Sequence, residues 1–345
     1  MQLAATKAFS DDISIDLGTA NTLVHVQGRG IVINEPSVVA VRARGAQREV
    51  LAVGQKARTL LGRAPERLEA IRPLRDGMIA DYVATEEMLR QFIKRAKTML
   101  GFRRPRILIC VPAGATPLER RAVYDTAASA GARQTYLIAE PVAAALGAGF
   151  SLDGALGYMV VDVGGGTTDI GVLERGTVVE ARSLRCAGNA MDQAIVRHVR
   201  RRHQLIISEA SAERIKIEAG AATIARNGRN AEIHIRGREL REGKPKSVVL
   251  GPQDVAEALA DPISEIAEFV QRALEELPPK VSADICERGI QLSGGGALLD
   301  KLDVELERRV GVKFLVPEHP MHCVVQGSAY VLEEIGLHRH LLLRP

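Results

Sequence analysis

The segment IDLGTANT (residues 15–22) returns in altered form as VDVGGGTT (residues 161–168), and this repeat decides the fold class. Each copy begins with a β-branched run that ends in Asp-x-Gly. Small or hydroxylated residues follow the glycine, and a second β-branched run comes after them. The two copies lie about one lobe apart, since a lobe of this chain would hold roughly 150 residues. The repeat therefore predicts two similar halves that face each other across a cleft.

The glycines of these two turns indicate phosphate binding. Glycine permits positive φ in a tight hairpin, and its backbone N–H can approach an anion because no Cβ intervenes. Asp16 and Asp162, at the strand ends, can hold the water shell of Mg²⁺, which usually keeps several waters. One such turn is typical of an ordinary hairpin, whereas two turns one lobe apart favour a nucleotide. A third cluster, SGGGALL (residues 293–299), fits a packing turn and a cover for a flat purine equally well.

Composition limits the class of protein. Of 345 residues, 46% are hydrophobic and 26% charged, which is ordinary for a soluble globular chain and excludes a disordered or fibrous one. A net charge of +4 without Trp gives little basis for nucleic-acid binding. The four cysteines form no Cys-x-x-Cys pair, so a disulfide framework and a structural zinc site are not expected. Since no apolar segment reaches about 18 residues and no signal peptide is evident, we expect a cytoplasmic protein.

The periodicity predicts an α/β protein whose opening strands are antiparallel. The first 60 residues read as strands, and RILICVP (residues 106–112) as a buried strand. A strand, a glycine turn and a helix are predicted over Ala283–Leu302. The predicted helices are Thr85–Leu100, Pro117–Ala130, a helix opening at Pro141, Asp192–Gln204, Ser211–Ala219 and Asp254–Leu277.

Other enzyme signatures do not occur in the chain. It has no P-loop, Rossmann glycine fingerprint, GxSxG, HExxH or kinase HRD set. His319 and His322 read as ordinary surface histidines. The basic run RHVRRRH (residues 197–203) contains no aromatic residue and favours a solvated or filament-contact helix face over nucleic acid.

The ordered motifs resemble the superfamily of actin, sugar kinases and seventy-kilodalton heat-shock chaperones, and within it the MreB family of bacterial actins. The resemblance covers roughly residues 11–335 and includes a Glu-Pro helix start at Glu140-Pro141. The matching blocks are IDLGTANTLV, NEPSVVA, IRPLRDGMIADY, VPAGATPLERRAV, AEPVAAALGAG, VVDVGGGTTDI, AERIKIEAG and QLSGGGALL.

This resemblance implies an actin-like ATPase fold: two duplicated lobes, each with an inner ribonuclease H-like and a smaller outer subdomain, around a nucleotide cleft. The implied bounds are 1–32, 66–145 and 312–345 for subdomain IA, 33–65 for IB, 146–181 and 246–311 for IIA, and 182–245 for IIB. It also implies ATP and Mg²⁺ as ligands.

The resemblance further implies roles for individual residues. Glu140, helped by Thr167, would orient and deprotonate the attacking water, although a helix-start carboxylate can equally serve the helix dipole. Asp16 and Asp162 would steer Mg²⁺ through waters. The block Ala187-Gly188-Asn189 replaces the family's usual Gly-Gly-Asp, which puts the hydrolysis rate in question. The residues implied for nucleotide binding are Gly18, Thr19, Ala20, Asn21, Gly164, Gly165, Gly166, Thr167, Gly188, Glu213, Lys216, Gly294, Gly295, Gly296, Ala297 and Leu298.

A cluster around residue 100 concerns the membrane. Met99, Leu100 and Phe102 lie among six cations, and cations gain about 1 kcal/mol each at an anionic bilayer. The residues alone fit equally well a helix end tucked into the core. The similarity to MreB proteins favours membrane insertion and implies a position on the inner face of the cell membrane.

Three functions are compatible with this superfamily. The MreB resemblance implies self-assembly into membrane filaments that guide cell-wall synthesis and rod shape, with RodZ, MreC and the wall-synthesis machinery as partners and no nucleic acid. A sugar-type kinase of the same fold is the alternative, although we see no insertion that would build an acceptor pocket. A chaperone is disfavoured, because no room is left for a peptide-binding domain.

Overall fold

The computed structural model describes residues 12–44, 47–61, 68–97, 104–152, 156–223 and 232–345. The chain forms two compact units. Unit 1 contains residues 1–155, 171–183 and 322–345, and unit 2 contains residues 156–170 and 184–321. Both units are assembled from separate stretches of chain, which explains why no linker marks a boundary in the sequence. The four subdomain bounds given above stay predictions.

The structure contains nineteen strands and ten α-helices within the described residues. The strands are β1 (Ile13–Leu17), β2 (Asn21–Val26), β3 (Gly30–Pro36), β4 (Val39–Arg44), β5 (Gln47–Val53), β6 (Leu68–Ile71), β7 (Leu74–Arg75), β8 (Met78–Ile79), β9 (Arg106–Val111), β10 (Gln134–Ala139), β11 (Gly157–Val163), β12 (Thr168–Glu174), β13 (Thr177–Leu184), β14 (Leu205–Ile206), β15 (Ile233–Glu239), β16 (Pro245–Leu250), β17 (Ile290–Ser293), β18 (Phe314–Leu315) and β19 (Leu342–Leu343). The helices are α1 (Gly54–Leu61), α2 (Tyr82–Lys97), α3 (Pro117–Ser129), α4 (Glu140–Gly147), α5 (Gly188–His203), α6 (Glu209–Ala219), α7 (Pro252–Glu276), α8 (Pro279–Arg288), α9 (Leu302–Val310) and α10 (Cys323–Glu333).

Unit 1 is built on a six-stranded sheet in the order β19-β10-β9-β1-β2-β3. Strands β1, β9 and β10 are parallel, while β1, β2 and β3 form the antiparallel meander that the sequence predicts. Strand β9 is almost entirely buried, as its apolar run predicts. The core beside it includes Met88, Leu89 and Phe92 of α2, whose spacing places them on one face of the helix.

Helices α4 and α10 of unit 1 pack closely through glycines. A Cβ on Gly147 would overlap the carbonyl oxygen of Cys323, and a Cβ on Gly327 would overlap the carbonyl oxygen of Ala143. Such close backbone approach is possible only where no side chain intervenes. The contact anchors α4, whose first residue is Glu140, against the C-terminal helix of the unit.

Unit 2 begins with β11, which belongs to a five-stranded sheet of order β13-β12-β11-β17-β18. Strands β11, β17 and β18 are parallel, so the ends of β11 and β17 that carry Asp162 and Ser293 lie side by side in register. A separate antiparallel sheet has the order β14-β15-β16. The long helix α7 is buried along one face, including Ile263, Ile266 and Val270.

Two sequence predictions are wrong in detail. The segment from Ala283 is the helix α8 rather than a strand, because Pro279 suits a first helical turn and Val281 and Ile285 bury one face at helical spacing. Gly54–Leu61 is also a helix, although the sequence analysis predicts strands for the first 60 residues. Within the described residues, no helix is long and apolar enough to cross a membrane.

Candidate functional site

The first glycine turn of unit 1 connects β1 to β2. Leu17 and Thr22 are the last paired residues, so residues 18–21 form a short connection that begins two residues after Asp16. A Cβ on Gly18 would lie 2.6 Å from the carbonyl oxygen of Asn21, so the turn accepts only glycine without rearrangement. Its backbone is therefore held in a compact form beside the end of β1.

Three neighbouring groups position this turn. The hydroxyl of Ser37 donates to the carbonyl oxygen of Gly18 at 2.6 Å and lies 2.8 Å from the hydroxyl of Thr22. The amide of Ser37 donates to the carbonyl oxygen of Ala20 at 2.9 Å. The buried Thr19 hydroxyl accepts from the amide of Gly77 at 2.8 Å, and its own proton can still be donated. Sequence reasoning missed Ser37, although it belongs to the NEPSVVA block.

Glu140 is the first residue of α4 and directly follows β10. Its side chain is buried, which is uncommon for glutamate and indicates a specific environment. The next residue, Pro141, packs against Gly171, where an added Cβ would lie 2.7 Å from the Pro141 Cβ. The helix start is thus fixed from both sides, by Gly171 and by the α4–α10 contact.

The second glycine turn, residues 164–167, connects β11 to β12 in unit 2. The amide of Gly164 donates to the carbonyl oxygen of Thr167 at 2.9 Å and closes the turn. Helix α5 holds it from the other side, because the amides of Gly188 and Asn189 donate to the carbonyl oxygens of Gly164 and Gly165 at 3.1 Å and 2.7 Å. With these carbonyls and the Gly164 amide engaged, the amides of residues 165–167 are the groups of the turn that can bind an anion.

Asp162 precedes this turn and is buried. Burial raises its pKa to about 7, the nearby Asp169 adds to the rise, and the hydrogen bond from Ser293 opposes it. The Ser293 hydroxyl donates to Oδ1 at 2.7 Å. A buried carboxyl poised near neutrality gains its charge readily when a cation approaches, which fits a role near Mg²⁺.

Lys216 of α6 braces the start of α5. Its Nζ donates to the carbonyl oxygen of Gly188 at 2.8 Å and lies 2.8 Å from Oδ1 of the buried Asp192. Lys216 is thus joined to Gly188 by a hydrogen bond and to Asp192 by an ion pair, and the predicted roles of Lys216 and Gly188 in nucleotide binding stay predictions. Glu213 lies one helical turn earlier and is half-buried. Sequence reasoning missed Asp192 as the partner of Lys216.

The third glycine cluster follows β17 as a short 3₁₀ turn over Gly295–Leu298. A Cβ on Gly294 would overlap the carbonyl oxygen of Val163, and one on Gly296 would overlap the Val163 side chain. These two glycines are thus required for packing against the end of β11. Gly295 has open space around it, Ala297 is buried and Leu298 is exposed, so the surface of the turn could still contact a flat ligand.

Comparison with known proteins decides the family. A family model described as "MreB/Mbl protein" matches residues 10–340. The cell shape-determining protein MreB of Escherichia coli K12 is 49% identical over 333 residues, which cover 96% of this chain and 95% of that protein. The chain belongs to the MreB/Mbl family.

Other comparisons agree with the MreB/Mbl assignment. The cell shape-determining protein Mbl of Bacillus subtilis is 44% identical over 327 residues, covering 95% of this chain and 97% of Mbl. MreB5 of Spiroplasma citri, solved with ADP, aligns with a TM-score of 0.87 at 32% identity, covering 95% of this chain and 97% of MreB5. The MamK double helical filament aligns at 0.78 with 21% identity, covering 94% and 99%, which is a likeness of fold. The predicted actin-like ATPase fold is confirmed, and the family does not support the sugar-kinase alternative.

The sequence analysis also predicts that three residues of this MreB/Mbl chain contact a membrane. Met99, Leu100 and Phe102 lie outside the described residues. Their assignment stays a prediction.

Proposed function

We propose that this MreB/Mbl chain binds and hydrolyses ATP and assembles into filaments on the inner face of the cell membrane, where they organise cell-wall synthesis and determine rod shape. The observation that carries the proposal is the second glycine turn, whose carbonyls are engaged by α5 while its amides follow a buried aspartate. The S. citri MreB5 structures with ADP and AMPPNP support nucleotide binding by a relative of the same fold.

Each of the two glycine turns supplies phosphate ligands in this proposal. In unit 1 the amides of residues 18–21 and the Thr19 hydroxyl bind phosphate oxygens. In unit 2 the amides of residues 165–167 do so, while Gly164 closes the turn. Preorganised N–H donors stabilise the charge of a phosphoryl group without reorganising during the reaction. Glu213, Lys216 and the turn at 294–298 would contact the nucleoside.

Asp16 and Asp162 would hold Mg²⁺ through water. Asp162 fits this role because it is buried beside the turn and its pKa lies near neutrality, so that a cation stabilises its ionised form. When bound, the ion neutralises phosphate charge and orients the phosphate chain. Ser293 keeps the Asp162 carboxylate oriented by its hydrogen bond.

Glu140 would orient and deprotonate the attacking water, with the Thr167 hydroxyl as a second contact. Hydrolysis of ATP depends mainly on positioning and charge stabilisation, so a rigidly held carboxylate is sufficient. The buried helix start at Glu140 supplies that rigidity. Asn189, in place of the family's aspartate, removes one negative charge near α5 and favours a slow reaction.

The Glu140→Gln variant tests the hydrolytic assignment. Gln keeps the size of the side chain and removes its basicity, so we expect phosphate release to fall at least about 100-fold, within the range for loss of a general base. Affinity for a fluorescent ATP analogue should change less than about threefold. The exposed Glu275 provides the matched control Glu275→Gln, expected to be neutral. Unchanged turnover in Glu140→Gln would contradict the assignment.

Membrane association needs a separate experiment. Wild-type protein with Mg-ATP should co-sediment with vesicles that contain anionic lipid, and Leu100→Ser/Phe102→Ser should lose vesicle binding while still forming filaments in solution. Leu118 and Leu337 are exposed leucines elsewhere in the chain, so Leu118→Ser/Leu337→Ser is the matched control for general loss of apolar surface. Equal vesicle binding by both double variants would contradict the membrane assignment.

RodZ, MreC and the wall-synthesis machinery remain the partners implied by family resemblance. Affinity capture with the wild-type protein and with a polymerisation-deficient variant would show whether they require the filament.

A further inference from the structure

Three metal-ligating side chains converge where the end of α5 meets the start of α7 in unit 2. Nε2 of His198 lies 3.6 Å and Nε2 of His203 lies 3.5 Å from Oδ1 of Asp254. All three ligand atoms lie within 4.8 Å of one another. The histidines come from the basic run 197–203, whose arginines are exposed while both imidazoles turn inward.

Among the described residues these atoms are buried and meet no strict hydrogen-bond geometry, although Oδ1 of Asp254 is ion-paired with Nε of Arg202 at 3.1 Å. This lack of hydrogen-bond geometry is true of the Nε2 atoms of both histidines and of Oδ1 of Asp254. Side-chain exposure is only 11% for His198, 20% for His203 and 17% for Asp254. Buried nitrogen and oxygen atoms normally find partners, so this convergence requires an explanation. The other carboxylate oxygen of Asp254 already caps α7 by accepting from the amide of Gly251 at 3.1 Å.

We propose that His198, His203 and Asp254 form a binding site for a divalent transition-metal ion of the zinc type. Two imidazole nitrogens with one carboxylate oxygen are a ligand set suited to Zn²⁺, whereas Mg²⁺ prefers oxygen alone. Tetrahedral zinc with bonds of about 2.0–2.1 Å separates its ligand atoms by about 3.3 Å. The observed 3.5 Å and 3.6 Å need only a small contraction. The fourth position would be taken by water.

Two cations near this cluster oppose a bound metal ion: Nζ of Lys246 lies 3.5 Å from the backbone carbonyl oxygen of His203, and the guanidinium of Arg202 lies beside Asp254. Nε of Arg202 lies 3.1 Å from Oδ1 of Asp254, but without hydrogen-bond geometry. Its NH1 group donates to Glu257 at 2.7 Å, and the side chain is half-exposed. The guanidinium can therefore stay on Glu257 while Asp254 turns to the metal. The carboxylates of Asp254 and Glu257 supply two negative charges beside the single positive charge of Arg202.

The site would connect two helices that matter for unit 2. Helix α5 starts at Gly188 against the second glycine turn and ends at His203. A metal joining its last turn to α7 would hold that end of the helix. Metal that binds only the folded state stabilises it by mass action, so a bound ion should raise the unfolding temperature. This inference does not depend on ATP binding or on filament formation.

Cobalt(II) is a suitable spectroscopic probe, because tetrahedral Co²⁺ absorbs visible light strongly and octahedral Co²⁺ does not. The full-length, untagged protein in Mg²⁺ buffer is titrated with Co²⁺ and then competed with Zn²⁺. All samples contain Cys286→Ser, because Cys286 is an exposed thiol that could bind either ion. The test variant is His203→Gln, and the matched control is His234→Gln, which changes an exposed histidine of β15.

We expect one Co²⁺ per chain with a tetrahedral spectrum, displaced by Zn²⁺ and accompanied by a higher unfolding temperature. His203→Gln should weaken binding at least about 10- to 100-fold, while His234→Gln should leave it unchanged. Arg202→Gln should tighten binding, because it removes one opposing charge. Absence of a tetrahedral spectrum in the Cys286→Ser parent, or equal affinity in that parent and in His203→Gln, would overturn the proposal.

Discussion

Replacing Lys216 by methionine is the sharpest test of how unit 2 holds its glycine turn. Methionine keeps the length and apolar stem of lysine but removes its charge. Nζ of Lys216 makes two contacts of 2.8 Å, to the carbonyl oxygen of Gly188 and to Oδ1 of Asp192. The side chains of Lys216 and Asp192 are only 18% and 12% exposed.

The magnitude follows from this burial. Breaking a buried ion pair by removing one partner costs about 3–5 kcal/mol, because the remaining charge is uncompensated. Lys216 retains some solvent contact, so we expect the lower end, about 3 kcal/mol of unfolding free energy. Lys216→Met/Asp192→Asn removes the uncompensated charge and should regain about half of that loss. Since Gly188 also holds the glycine turn, ATP affinity should fall about tenfold, equivalent to about 1.4 kcal/mol.

Denaturant unfolding and titration with a fluorescent ATP analogue measure the two effects. Lys313 is exposed, so Lys313→Met is the matched control for loss of a lysine charge and should behave as wild type. A double variant no more stable than Lys216→Met would refute the argument from uncompensated charge. Unchanged ATP affinity in Lys216→Met would refute the bracing of the turn.

Three further predictions concern packing and pH. Gly327→Ala forces a methyl group into the carbonyl of Ala143 and should cost about 3 kcal/mol in thermal unfolding, whereas Gly336→Ala, with open space around it, should be neutral. Hydrogen bonds from Arg308 and Arg309 lower the pKa of Glu305 from 4.5 to about 2 against the effect of its burial. The ionised Glu305 carboxylate therefore stabilises the folded state fully above pH 4.5, and this stabilisation is lost as the pH falls toward 2. Urea unfolding should show a cost of about 2 kcal/mol for Glu305→Gln at pH 7 that shrinks at pH 4; a cost independent of pH would contradict this. Because the pKa of Asp162 is about 7, Mg-ATP binding should strengthen up to about tenfold from pH 6 to pH 8, and Asp162→Asn should abolish that dependence in a binding titration.

The sequence was sufficient for the local geometry of the candidate site. Both glycine turns, the strands that flank them and the Glu140 helix start follow from short-range patterns, because glycine, proline and β-branched residues restrict the backbone directly. The family resemblance added the order of the elements. These predictions depend on neighbours within a few positions along the chain.

Contacts between distant segments could not be predicted in this way. The side chain of Ser37 donates a hydrogen bond to the turn at Gly18. Lys216 of α6 forms an ion pair with Asp192 of α5. His203 is five residues after His198, which is not the spacing of one helix face, and their convergence depends on where α5 ends and α7 begins. A local pattern also misassigned α8, because Val281 and Ile285 are compatible with a strand until their packing is known.

Assembly in the presence of nucleotide tests the central claim most directly. Purified protein is incubated with Mg-ATP or without nucleotide, then sedimented and imaged by negative-stain electron microscopy, while the fate of the γ-phosphate is followed. We predict filaments with Mg-ATP, none without nucleotide, and release of the γ-phosphate to water. A monomer under both conditions that passes the γ-phosphate to a small acceptor such as a sugar would contradict the account.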